Sequence, residues 1–340
     1  MTELKRPDEE VRRRGSRRRR KGAGEQSMVP EAEFTSYYGR PIVKPSPWEA
    51  DIPAYMFFGG LAAGSSMLAA GGDLTERPTL RRVGRLASLI SLTATLFTLI
   101  HDLGRPGRFL NMLRTMKLTS PMSVGTWILS AYGPFAGLAA VSELVDMLPE
   151  QGRRGGLLRL ASAVGKPAGV VAAVAAPPVA AYTAVLLSDT ATPSWHEAHR
   201  ELPFVFVGSA AAAAGGLGLL AVPKEEAGPA QRMAVGGAVL ELAAEQQMER
   251  SMGITAEPLH EGTAGRLMRA SKALTALGAA GALFSRRSRV AGVVSGAALI
   301  TGSVCTRFGI FHAGQESAKD PRYTVVPQRE RLDRGQPIRY

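Results

Sequence analysis

Residues 83–106 read VGRLASLISLTATLFTLIHDLGRP, and this stretch decides how the rest of the chain is read. From Val83 to Ile100 it is an apolar run of roughly the length a helix needs to cross a ~30 Å hydrocarbon layer at ~1.5 Å per residue. Ser88, Ser91, Thr93, Thr95 and Thr98 do not bar it from a membrane, because their hydroxyls can return hydrogen bonds to their own backbone. The run then stops on His101, Asp102 and Arg105 in a Leu-Gly-Arg-Pro turn. An imidazole, a carboxylate and a guanidinium held at the mouth of an apolar helix are costly there and point to function.

The same pattern recurs on either side. Further apolar runs cover about 53–71, 122–141, 167–187, 202–222, 233–248, 265–284 and 290–312, separated by short charged loops. The expected fold is therefore all-α, a polytopic membrane bundle of about eight transmembrane helices over residues 48–312. A basic, unstructured tail is expected at 1–47 and a charged tail at 313–340. The mean hydropathy of +0.01 averages these two populations. Gly59-Gly60-Leu61-Ala62-Ala63-Gly64-Ser65-Ser66 in the first run lets a neighbouring helix approach closely. Pro177-Pro178 in the fourth run removes two backbone donors and predicts a kink, with Tyr182 one turn beyond it. The first run starts some 50 residues in, so the first span itself is expected to serve as the targeting signal.

A net charge of +12 raises the question of nucleic acid, sharpened by the arginine run from Arg12 to Lys21. No aromatic residue is interleaved with that run and no nucleic-acid fold signature follows it. Anionic lipid headgroups or an acidic partner are the expected counterpart. The single cysteine, Cys305, excludes an intramolecular disulfide and any cluster held by thiolates of this chain alone. No phosphate-cradling loop or Ser/His/Asp arrangement stands out, so the protein is not expected to be catalytic on its own.

Eight spans place both termini on one side, and His101, His196, His199, His260 and His312 all fall at that side. Arginine and lysine are denser in the opposite loops, at 77–85, 153–166, 224–232 and 286–289, which favours termini outside. The arginine-rich tail favours the reverse, and the short loops, being nearer the spans, carry the greater weight.

His101 and Asp102 are candidates for proton transfer, since a carboxylate beside a histidine can hold its ring and take its proton. The alternative is that Asp102 caps a turn and pairs with Arg105 or Arg108. Glu241 is the most deeply placed acid and is a third proton-transfer candidate, unless the sixth segment lies against the bundle rather than spanning it. Tyr182 can donate its phenol to a ligand carbonyl or to a neighbouring helix. Trp48, Asp51 and Tyr55 gather at the entrance of the first span, where a flat aromatic ligand could stack. His196 and His199 are spaced as metal ligands but lack a third partner, and histidines at boundaries rather than within facing spans argue against haem.

Gly59-Gly60-Leu61-Ala62-Ala63-Gly64-Ser65, His101-Asp102-Leu103-Gly104-Arg105-Pro106 with Arg108-Phe109-Leu110-Asn111, Ser120-Pro121-Met122-Ser123-Val124-Gly125 and Tyr182-Thr183 with Leu186-Leu187-Ser188 resemble the polysulfide reductase/nitrite reductase membrane-anchor family, NrfD. The resemblance spans roughly 48–325 and includes Asp320-Pro321. It implies an eight-helix subunit of the inner membrane, without its own haem or metal, of the kind used in anaerobic respiration. Such a subunit exchanges electrons between a quinone, menaquinone or ubiquinone, and a ferredoxin-like iron–sulfur subunit. That partner serves a molybdopterin catalytic subunit of the formate dehydrogenase or polysulfide reductase kind. The implied quinone pocket draws on Tyr182, with Asp51 as counterpart of residues at the start of the first helix, and Trp48, Tyr55 and Arg105 nearby. His101 and Asp102 become proton partners of that pocket. The arginine-rich tail departs from the short N-terminus of the family. A proton-coupled transporter or channel, and a purely structural anchor, are the alternatives.

Overall fold

The computed structural model describes residues 41–105, 107–149 and 156–335, and these form helices joined by turns. Eight helices are long: α1 (Asp51–Leu74), α2 (Pro78–Asp102), α4 (Pro121–Asp146), α5 (Gly156–Ser188), α7 (Leu202–Ala221), α8 (Gly228–Ser251), α9 (Gly262–Ala282) and α10 (Arg289–Lys319). Short helices α3 (Arg108–Met112) and α6 (Pro193–Glu197), a 3-10 turn at Gly253–Leu259, and a final helix α11 (Arg322–Asp333) complete the described residues. The arginine run at 12–21 lies outside them.

Helix starts follow the local chemistry. Pro78, Pro121 and Pro193 stand in the first turns of α2, α4 and α6, where a missing N–H has no intrahelical partner to lose. Ser120 and Ser288 accept hydrogen bonds from the backbone N–H of Ser123 and Ala291, capping α4 and α10. After α2 the backbone turns at Gly104, whose φ of +63° is the left-handed conformation that glycine adopts without a Cβ clash.

Six of the long helices, α1, α2, α4, α5, α7 and α10, are both long and apolar enough to cross a membrane. Helices α8 and α9 have the length but not the composition: Glu241, Glu245 and Glu249 on α8, and Arg266, Arg269 and Lys272 on α9, lower their hydropathy. The molecule is a multi-pass membrane protein of helical-bundle type. Ile90, Phe97, Val174, Leu277 and Val294 point outward with 62–75% of their surface open, as side chains facing lipid do.

Antiparallel neighbours pack in pairs, α1 on α2, α4 on α5, α7 on α8 and α9 on α10, and α1, α5, α7 and α10 join the pairs at the centre. The small-residue stretch of α1 serves this junction. A Cβ at Gly64 would come within 2.7 Å of the Ala210 carbonyl on α7, so the two backbones meet almost directly. The prolines of α5 leave it one continuous helix, in which the carbonyls of Ala173 and Val174 face Pro177 and Pro178 rather than an N–H.

One end of the bundle gathers the histidines, as the sequence places them. Asp51 at the start of α1 meets His101 at the end of α2, and Ser194 of α6 donates to the Thr255 carbonyl at 2.7 Å. Gln315 near the end of α10 donates to the carbonyls of Ser46 and Trp48. Helix α10 continues past His312 to Lys319, and α11 folds back onto α6 and the 3-10 turn, so the first part of the charged C-terminal segment is helical and docked. The opposite end is fastened by crossed caps. Arg289 donates to the carbonyls of Leu219, Leu220 and Val222 at the end of α7, and Glu226 receives the N–H groups of Thr79 and Leu80 at the start of α2.

Candidate functional site

At the histidine end, Asp51 and His101 face each other across the mouth between α1 and α2, with Nδ1 to Oδ2 at 2.7 Å. The carboxylate that holds the imidazole is thus Asp51, fifty residues away, rather than the adjacent Asp102. The Phe97 ring, one turn back along α2, stacks on His101 at 6.0 Å. One turn into α1 from Asp51, Tyr55 hydrogen-bonds hydroxyl to hydroxyl with Tyr182 of α5. Both rings are buried, 3% and 7% exposed, and meet edge to face at 6.3 Å. Tyr182 thus makes an interhelical bond, to α1. Two hydroxyls in contact share one hydrogen, so the second O–H of the pair has no protein acceptor among the described residues.

Local sequence explains the seat. Asp51 and Tyr55 are i and i+4 on α1 and so share a face. Tyr182 packs the Cδ2–Cε2 edge of its ring against Gly125 of α4, where a Cβ would come within 2.5 Å of the ring. Asp102 stands at the same mouth, next to His101. Arg105 is exposed in the turn after α2. Trp48 stacks on Trp195 at 5.9 Å.

Glu241 belongs to a different cluster, in the half built from α7 to α10. It is fully buried and accepts from the Thr306 hydroxyl at 2.6 Å, with Ser271 beside Thr306 at 2.6 Å. Glu245, a turn away, faces Lys272 at 3.7 Å, which also binds Glu249 at 2.6 Å. Arg307 lies buried nearby, donating to the Phe206 carbonyl at 2.8 Å with its guanidinium over the Phe206 ring. No hydrogen bond links this group to Tyr55 or Tyr182 among the described residues.

Two polar groups escaped the sequence reading. Tyr132 of α4 is fully buried and bonds Ser66, Ser88 and the Ala62 carbonyl at 2.7–2.8 Å. Towards the other end, Arg85 binds Asp73 at 2.7 Å and Glu143 at 3.2 Å, and Arg81 binds Glu143 at 2.5 Å. The signal in the sequence was Arg85 inside an apolar run, together with Glu143 just past another: charges that insertion disfavours unless they are paired.

The family model described as "Polysulphide reductase, NrfD" matches residues 42–232, more than half of the sequence. The chain belongs to the NrfD family. Asp51, Tyr55, His101 and Tyr182 all lie within the NrfD match, whereas Glu241 and Arg307 lie beyond it. Among curated proteins it is similar to a subunit of the polysulfide reductase of Wolinella succinogenes, 31% identical over 150 residues, which is 42% of the present sequence and 47% of that protein. The match thus spans about half the length of that relative.

Two histidines of this NrfD member are engaged locally. His196 and His199 stack at 6.0 Å and turn Nδ1 to the carbonyls of Ser188 and His196. The described residues contain no group of three or more His, Cys, Asp or Glu side chains placed to hold a metal ion.

Proposed function

We propose that this NrfD protein is the quinone-reactive membrane subunit of a polysulfide-reductase-like oxidoreductase complex. In this reading it passes electrons between a membrane quinone, menaquinone or ubiquinone, and a ferredoxin-like iron–sulfur subunit. That subunit in turn serves a molybdopterin catalytic subunit, the whole being held in the inner membrane. The observation that carries the reading is the Asp51–His101 pair set one helical turn above the Tyr55–Tyr182 pair.

A quinone supplies two-electron, two-proton chemistry and presents carbonyl oxygens that accept hydrogen bonds. The tyrosine pair fits that group because its second O–H is a buried donor in need of an acceptor. In this role Tyr182 orients the ring by donating to a carbonyl oxygen, while Tyr55 holds Tyr182. His101, 67% exposed at the mouth, exchanges protons with water, and Asp51 fixes its tautomer by accepting from Nδ1. Asp102, next to His101, adds negative charge at the same mouth. Glu241 and Arg105 stand outside this core.

The test is quinol-linked turnover of the complex assembled with its iron–sulfur partner. Tyr182→Phe and His101→Ala should each lower it while the protein still inserts and assembles; wild-type turnover in both sinks the reading. The buried Glu241–Thr306 cluster favours a second reading, a proton-coupled transporter. That reading requires substrate-dependent flux by this protein alone in liposomes.

A further inference from the structure

Helix α1 has a second working face. Asp51 and Pro53 are two residues apart and so point about 200° away from each other around the helix. Asp51 and Tyr55 look towards α2 and α5, whereas Pro53, with Glu49 and Ala50 just ahead of the helix, lines a cleft of about 280 Å³ against α10. The cleft sits at the histidine end, and its walls are aromatic: Trp48, Phe308 and Phe311. Trp48 is braced by the fully buried Trp195 behind it, which itself packs on Phe311 at 5.6 Å. The N-terminal wall is tied down, since Gln315 Nε2 donates to the carbonyls of Ser46 and Trp48 at 3.1 and 3.3 Å. This is a built concavity rather than a flat apolar face.

Its polar groups define the ligand. Lys319 is the only lysine or arginine among the lining side chains, and it is already bound to Glu316 at 2.7 Å. Glu49 adds a further carboxylate. The carboxylates thus outnumber the lysine, and the lining favours a neutral headgroup over an anionic one. Gln315 spends its amide hydrogens on the N-terminal backbone, and the His312 imidazole on α10 is able to donate to a ligand oxygen, as are the Ser46 hydroxyl and the Trp48 indole N–H on the facing wall. The size falls just under the ~300 Å³ at which drug-sized pockets begin, enough for a ring system but not for a whole lipid. A flat, neutral ring bearing a carbonyl oxygen and trailing an apolar tail into the membrane satisfies all of these conditions.

We infer that the cleft between the start of α1 and the end of α10 is a second binding site for a quinone-type headgroup, clamped by Trp48 and Phe308 and hydrogen-bonded by His312. It rests on the quinone reading above but lies on the opposite side of α1 from the Tyr55–Tyr182 pair.

The test uses the full-length protein in nanodiscs, in a Trp127→Phe background so that the remaining indoles are the cleft's Trp48 and its neighbour Trp195. Menadione, a soluble naphthoquinone, is titrated while indole fluorescence is read. Saturable quenching is expected, and Tyr182→Phe should leave it unchanged. His312→Leu should weaken it about tenfold, the value of one lost hydrogen bond. Ala50→Phe, at an exposed position that fills the cleft without removing a contact, should weaken it at least as much and controls for misfolding. Quenching that depends on Tyr182 but ignores Ala50→Phe and His312→Leu overturns the second site and leaves the quinone reading standing. Absence of any saturable menadione binding overturns both. Displacement of nothing but dihexanoylphosphatidylcholine from the cleft, with menadione inert there, assigns it to lipid and also overturns the proposal.

Discussion

Tyr55 and Tyr182, 127 residues apart, meet hydroxyl to hydroxyl between α1 and α5, and Tyr55 stands one helical turn along α1 from the Asp51 of the Asp51–His101 pair. Removing one hydroxyl leaves the other buried with a lost partner, which costs about 1–3 kcal/mol. Tyr182→Phe is therefore expected to lower the thermal midpoint as well as quinol-linked turnover. The double variant Tyr55→Phe/Tyr182→Phe should recover most of the stability, because both polar atoms are gone, and none of the turnover. Recovery of turnover in the double variant would remove the phenols from the chemistry.

The seat of Tyr182 is testable without touching it. Gly125→Ala places a methyl about 2.5 Å from the ring, so the phenol must move. Turnover should fall about as far as in Tyr182→Phe, with normal membrane insertion. A variant as active as wild type means that the position of Tyr182 does not matter.

His101 and Asp51 are a surface pair, so their loss should be functional rather than structural. Asp51→Asn and His101→Ala are each expected to keep the wild-type thermal midpoint and lose at least about tenfold in turnover, in the range of lost proton transfer. Unequal effects, with Asp51→Asn silent, would show that His101 works without its carboxylate.

At the opposite end, Glu143 is fully buried between Arg81 and Arg85. Glu143→Gln removes one of the two carboxylates, the other being Asp73, that face Arg81 and Arg85, and should destabilise by about 1.5–3 kcal/mol, the range for a hydrogen bond to a charged group, read as earlier unfolding in a detergent titration. A change under about 0.5 kcal/mol would mean that water already screens the cluster.

Glu226 supplies a pH dependence. Burial works against its charge, but the Thr79 hydroxyl, the N–H groups of Leu80 and Thr79 and the nearby Arg77 outweigh burial and lower its pKa below the ordinary glutamate value. A carboxylate whose pKa is depressed by folding stabilises the protein above the unfolded pKa of ~4.3 and loses that contribution as pH falls through the folded value. Glu226→Gln should thus unfold earlier than wild type at pH 7, and the gap should close in strongly acidic buffer. A gap that persists unchanged at low pH assigns the defect to packing.

Some of the site was legible in the sequence and some was not. His101 and Asp102 are visible because charge at the end of an apolar run needs no partner to be conspicuous. Tyr182 is visible as a phenol beyond a double proline. Arg307 sits inside an apolar run with the same local signature as Glu241 and was within reach of the same rule. Tyr132 gives no such signal, since a tyrosine in an apolar helix is ordinary until its neighbours Ser66 and Ser88 are placed beside it. The cleft at Trp48 was legible as an aromatic at a membrane boundary, but its other wall comes from α10, some 260 residues later.

The sequence by itself determined that this is a helical membrane protein, roughly where its helices lie, and that its histidines collect at one end. Those are one-dimensional properties: apolar length, proline and glycine punctuation, and the alternation of direction from helix to helix. The tertiary structure decided the partners: Asp51 rather than Asp102 for His101, Tyr55 for Tyr182, Thr306 for Glu241, and α10 as the far wall of the cleft. The physical reason lies in the solvent. In lipid every face of a helix is apolar, so the periodicity that tells inside from outside in water is weak, and small residues permit close packing without naming the helix that will use them.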